Sequence, residues 1–165
     1  TLFIKVSMFI LWLVLSLISI FIVSLMIQED RLFYSHPQSQ TKVRYVFETR
    51  SCEWSFGEPN HLSIVLVFDN NDKKQYAKAY HRYKQIDDVK LEFLGHNDVS
   101  RTRTMAEVGK SGMFINTISL LEESVSLKIV AKDKLSNAEI TSLVSLEHLN
   151  EAEYQFNRCV QTLEE

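Results

Sequence analysis

The sequence predicts a single N-terminal transmembrane helix followed by an α+β domain, mainly antiparallel β (a sheet or a sandwich), closed by a C-terminal helix. Three observations carry that expectation. Residues Val6 to Ile27 are apolar and uncharged. Beyond them, apolar and polar residues alternate in short runs punctuated by Asn, Asp and Gly, the period and punctuation of half-buried strands. The end of the chain then switches to helical spacing, with one apolar stripe.

The first run reads VSMFILWLVLSLISIFIVSLMI. At about 1.5 Å per residue it reaches about 33 Å, against a hydrocarbon core of about 30 Å. Only a helix lets one segment satisfy its own backbone in lipid. A cleaved signal peptide has an apolar core of about 7–15 residues ending at small residues. This run is longer, and Gln28-Glu29-Asp30-Arg31 follows it without an A-x-A pattern, so residues 1–27 are expected to be an uncleaved anchor. Lys5 is the one charge ahead of the run. The positive-inside rule then sets the N-terminus inside and the rest outside, which predicts a single-pass inner-membrane protein with its C-terminal domain periplasmic or extracellular. Ser16 and Ser19 share one side of the helix and are candidates for packing against another helix. The alternative is that such serines bond back to their own carbonyls.

Residues 28–41 are expected to form a polar stalk containing Pro37, with the domain over 42–165. Strands are expected at Lys42–Phe47, where Val43, Tyr45 and Phe47 share a face, and at Leu62–Phe68, a β-branched run suited to a central position. Asp69 to Asp72 is a turn, because Asn and Asp tolerate left-handed backbone and bond their own amides. Further strands are expected at Lys73–Tyr83, Val89–Leu94, Val99–Val108 and Met113–Asn116, then a short helix at Thr117–Glu123. Strands at Val125–Ala131 and Ile140–Val144 flank a turn at Asp133–Ala138. In the final helix Ser145 is the expected N-cap, with Glu147 and Glu151 near its positive end. Leu149, Ala152, Phe156, Cys159, Val160 and Leu163 form its stripe.

Cys52 and Cys159 are the only cysteines, and both follow the apolar run. An even count in an extracytoplasmic domain points to one bridge. Closing a loop of about 100 residues is assigned about 4.7 kcal/mol by the chain-entropy model. The alternative is two buried free thiols. Without a C-x-x-C pair or a nearby histidine pair, zinc is not expected.

A net charge of −3, from 18 basic and 21 acidic side chains, excludes a strongly basic nucleic-acid binder, which needs surplus cations to displace counterions. His36, His61, His81, His96 and His148 are scattered, without the i, i+4 spacing of a helical metal pair. Gly109-Lys110-Ser111 lacks the glycine a phosphate loop needs where Thr104 stands. There is no G-x-S-x-G, and Asp87-Asp88 reads as a solvated turn. No catalytic residue, metal or cofactor is therefore expected. In KKQYAKAYHRYK, Tyr76, Lys78, Tyr80 and Arg82 alternate onto one strand face, and Arg101, Arg103 and Lys110 add positive charge. Tyr with Arg is a recurrent protein-interface composition. Anionic headgroups or a sugar polymer are the other partners such a face could meet, and the plainer alternative is an exposed strand face kept soluble by charge, or an edge strand guarded by Lys.

The order strand, short Ile118-Ser119-Leu120-Leu121 segment, VSLKIVA strand, strand and then SLEHLNEAEYQFNRC resembles small envelope β-domains, namely the invasion-associated locus B family and the N-terminal domain of the flagellar T-ring protein. Ser145, Leu146, Leu149, Ala152, Phe156 and Cys159 carry the resemblance. It implies a periplasmic interaction domain in which a cysteine of the closing helix pairs with one in the sheet, matching Cys159 and Cys52. The long membrane helix departs from those relatives, which usually have a cleaved signal peptide. The expected function is a non-catalytic accessory or scaffold subunit of a secretion, motility or transport machine. Its partners would be the lipid bilayer and other membrane-protein subunits, with no nucleic acid. A ligand-sensing envelope module is the alternative, and an enzyme comes third.

Overall fold

Apolar side chains with no polar stripe make the first helix uniform around its circumference, and helix α1 spans Leu2–Ile27. The computed structural model describes residues 1–27, 30–58, 61–97, 100–105 and 113–164, with backbone alone at 23–27 and 113–116. The chain divides into two compact units, Thr1–Asp30 and Arg31–Glu165. Within α1, Leu2–Ile22 has a mean hydropathy of 2.3 and is long and apolar enough to cross a membrane. A signal sequence near an N-terminus passes the same test of length and composition.

The second unit begins with a five-stranded meander, β1 (Arg31–His36), β2 (Thr41–Val46), β3 (Ser51–Phe56), β4 (Ser63–Asp69) and β5 (Lys74–Tyr80), in the order β1-β2-β3-β4-β5. Every neighbouring pair is antiparallel. Short connections with left-handed residues make this possible: Gln40, Arg50 and Lys73 have φ of 53°, 49° and 53°. At the β4–β5 turn, Asn71 N–H donates to Asp69 Oδ1 at 2.9 Å, the Asx bond expected of this sequence. After β3, Gly57 adopts φ +110°, and a Cβ there would lie 2.9 Å from the Leu62 carbonyl oxygen, so only glycine fits.

The remaining strands, β6 (Ile86–Leu94), β7 (Ser100–Thr104), β8 (Ser126–Asp133) and β9 (Glu139–Ser145), form a four-stranded antiparallel sheet in the order β7-β6-β8-β9. Helix α2 (Met113–Glu122) connects β7 to β8, and α3 (Leu149–Glu164) closes the chain. Inward residues of both sheets join α2 and α3 in one hydrophobic cluster, centred on Trp54, Phe56, Leu66, Phe93, Leu121 and Ile129. Helix α3 lies against β1, β2 and β3, and α2 touches α3 and β5. The expected α+β domain closed by a C-terminal helix is what the chain forms.

Several local expectations are corrected. Residues 31–36, expected in a stalk, are strand β1, paired with β2 from Arg31↔Tyr45 to His36↔Thr41. A register irregularity between Leu32 and Tyr34 lets the adjacent Phe33 and Tyr34 both pack on the core while Leu32 is exposed, so the segment shows no period-two alternation to read. Strand β3 carries its own alternation, with Cys52, Trp54 and Phe56 inward against Ser51, Glu53 and Ser55. That signal lies between the two runs expected as strands. Met113–Asn116, expected as a strand, opens α2, because Thr117, Leu120 and Leu121 must share one buried face. Ser145 ends β9 and accepts from Glu147 N–H at 3.3 Å. The helix begins three positions later than that cap implied, after His148 at φ 63°. Asp87 and Asp88 lie within β6 at a register shift rather than in a turn, and Lys132 Nζ is 3.3 Å from Asp88 Oδ2.

Candidate protein-interaction face

Alternation in β2 to β5 gives the five-stranded sheet an outer face opposite the core. Register aligns Lys42, Ser55, Val65 and Lys78 in one row, and Arg44, Glu53, Val67 and Tyr76 in the next. Tyr80 stands opposite Ser63 at the end of β5. Tyr76, Lys78 and Tyr80 thus do share a face, with the tyrosines 38% and 49% exposed.

A carboxylate organises that face. Arg44 donates to Glu53 Oε2 through Nε at 3.0 Å and through Nη2 at 2.8 Å. Lys78 Nζ donates to Glu53 Oε1 at 3.1 Å. Burial alone pushes the Glu53 carboxyl up, but hydrogen bonds from Arg44 and Lys78, with their charges, outweigh it and hold it below the usual carboxylate range. Lys78 starts on β5 and Glu53 on β3, so the lysine stem passes over β4. Val65 and Val67, though on the outer face, are accordingly buried at 8% and 1% exposure.

The rest of the expected basic surface does not assemble with it. Strand β5 ends at Tyr80, which leaves Arg82 beyond the alternation, its guanidinium 5.3 Å from the Tyr83 ring centroid. Arg101 and Arg103 belong to β7 in the other sheet. Arg101 pairs with Glu123 at 3.1 Å, and Arg103 donates to the Thr102 carbonyl at 2.9 Å. Lys110 lies outside the described residues. In α1, Ser16 Oγ donates to the Leu13 carbonyl at 2.8 Å and Ser19 Oγ to the Leu15 carbonyl at 2.9 Å, so both hydroxyls bond within their own helix.

Cys52 and Cys159 form the disulfide, with Cα atoms 6.0 Å apart and a sequence separation of 107. Both cysteines are fully buried. The bridge fastens the middle of α3 to β3, directly behind Glu53. No family model, curated protein or solved structure matches the chain. Function therefore rests on the geometry.

Two features escaped the sequence. His36 and His148 meet with ring centroids 4.2 Å apart, joining the end of β1 to the residue before α3. His36 Nδ1 accepts from Ser39 N–H at 3.3 Å. Nearby, burial and then the Glu151 charge raise the Tyr34 hydroxyl above its ordinary value. Separately, α2, α3 and β5 enclose a groove of about 370 Å³ lined by Gln75, Ile118, Ser119, Glu122, Glu153 and Phe156. There, burial and then hydrogen bonding and repulsion from Glu122 raise the Glu153 carboxyl. Both depend on residues far apart in sequence, for which spacing gives no signal. Among the described residues, no group of three or more His, Cys, Asp and Glu could hold a metal ion.

Proposed function

We propose that this chain is a non-catalytic, membrane-anchored accessory or scaffold subunit of a bacterial cell-envelope assembly. In this reading α1 fixes the chain in the bilayer and the domain works on the oxidising side of the membrane. The outer face of the five-stranded sheet docks a protein partner through Tyr76 and Tyr80, flanked by Lys42 and Arg44. The observation that carries it is that face. Two exposed tyrosines stand on β5 on either side of Lys78, which together with Arg44 of β2 is already committed to Glu53, and this makes the surface rigid and cheap to desolvate. The disulfide supports the oxidising compartment, and the hydropathy of α1 supports the anchor. The resemblance carried by Ser145 to Cys159 favours the periplasm.

Membranes from cells producing the full chain test this. Carbonate washing is expected to leave the protein in the pellet, with residues 1–27 still present by N-terminal sequencing. Purification in mild detergent is expected to bring down a membrane subunit, and the double variant Tyr76→Ala, Tyr80→Ala to lose it. A soluble product lacking residues 1–27 would make α1 a signal sequence. Unchanged co-purification by the tyrosine variant would remove the docking face.

A ligand-sensing module is the second reading, favoured by the groove between α2 and α3. Its size suits a small ligand. Thermal-shift screening separates the readings: stabilisation by a compound that Phe156→Trp abolishes supports a sensor.

A further inference from the structure

Antiparallel sheets expose unpaired backbone at their edges, and natural proteins guard those edges against pairing with another chain. Among the described residues this domain has four such strands. Strand β1 has a register irregularity between Leu32 and Tyr34. Strand β5 carries Lys74 and Lys78, and the short strand β7 carries Arg101 and Arg103. Strand β9 has none of these devices. Its sequence is EITSLVS, without Lys, Arg or Pro, and it runs straight along β8 for its full length. It ends the four-stranded sheet, and no described strand pairs with its outer side.

Its side chains are also left incompletely covered. Leu143 is 61% exposed on the outer face. Ile140, on the core side, packs against the hydrophobic cluster but is only partly buried. Both would gain cover from one more strand alongside.

We infer that β9 pairs antiparallel with β9 of a second copy of this chain, joining two four-stranded sheets into one continuous sheet. Full overlap of the strand about a two-fold axis places Ser142 opposite itself. Ile140 then faces Val144 on the core side, and Thr141 faces Leu143 on the outer side. The one ionisable residue, Glu139, falls opposite Ser145. No like charges meet in this arrangement, and each apolar outer residue gains a cross-strand neighbour. The same construction on β7 sets Arg101 of one copy directly opposite Arg103 of the other, and on β5 it sets Lys78 of one copy diagonal to Lys74 and Lys78 of the other. A second copy is therefore the occupant that the charge pattern selects. Such an isologous contact closes on itself and forms no fibre. It uses a different edge from the Tyr76 and Tyr80 face and stands whether or not that face docks a partner.

The full chain in membranes provides the test. Ser142→Cys is expected to give a reducible dimer on mild oxidation, whereas Lys74→Cys on the β5 edge is expected to give none. The pair Thr141→Lys, Leu143→Lys sets like charges opposite one another and is expected to abolish the dimer in light scattering. Thr141→Glu, Leu143→Glu should do the same. Mixing the two variants should restore a dimer containing one of each, an outcome that misfolding cannot imitate. A wild-type chain that stays monomeric, a dimer unaffected by either pair of substitutions, or two variants that fail to combine would each overturn the inference.

Discussion

Lys78 on β5 reaches across β4 to place its ammonium 3.1 Å from the Glu53 carboxylate on β3. With Arg44 on the other side, this ties three strands together above Val65 and Val67. Both cations are about half exposed, so solvent screens much of the attraction. Glu53→Gln is expected to cost about 1–2 kcal/mol at pH 7, the range for hydrogen bonds to charged groups reduced by that screening. The folded carboxyl titrates below its unfolded value. Its contribution is therefore present above the ordinary range near pH 4 and lost as pH falls through the folded value. Urea unfolding at pH 7 and pH 3 checks this: the gap between wild type and Glu53→Gln should narrow in acid.

Reduction of the Cys52–Cys159 bridge should loosen α3. The expected cost is about 2–4 kcal/mol, and Cys52→Ala with Cys159→Ala should match it. Because both sulfurs are held in the bridge, alkylating reagents should label the protein, native or unfolded, only after reduction. Free thiols in protein taken directly from the envelope would contradict the oxidising location.

Trp54 is fully buried between Phe56 and Phe156, with ring centroids 5.0 and 5.6 Å away. Among the described residues, its indole Nε1 has no hydrogen-bond partner. Trp54→Phe removes volume but also removes an unsatisfied donor, whose burial costs about 1–3 kcal/mol. The net loss is expected to be about 1 kcal/mol, against about 3–5 kcal/mol for Trp54→Ala. Equal losses in chemical denaturation would show that packing alone governs the site.

Glu153 presents the reverse case to Glu53. Its folded carboxyl titrates above its unfolded value because burial and Glu122 oppose its charge. Stability linked to it is complete below the ordinary range and lost as pH rises through the folded value. Glu153→Gln is expected to stabilise the domain at pH 7 by up to about 0.5 kcal/mol, the scale of a solvent-screened surface site, and to have no effect near pH 4. Paired melting curves at the two pH values decide it, and a destabilised variant at pH 7 would refute it.

The sequence by itself determined whatever depends on neighbours along the chain. The apolar length of α1, the Asp69–Asp72 turn, the strand at Leu62–Phe68 and the Leu149 to Leu163 stripe each follow from local spacing. The alternation of Tyr76, Lys78 and Tyr80 was legible for the same reason. Its continuation to Arg82 was not, since a strand ends where its partner does, and β4 gives out at Ser63 opposite Tyr80. Tertiary structure alone decided that residues 31–36 join the sheet, that Lys78 is committed to Glu53, and that β7 sits apart from β5. It also brought His36 to His148 and Glu122 to Glu153. These are contacts across long loops. The free energy that selects them comes from burying one shared core, which no short window of sequence contains.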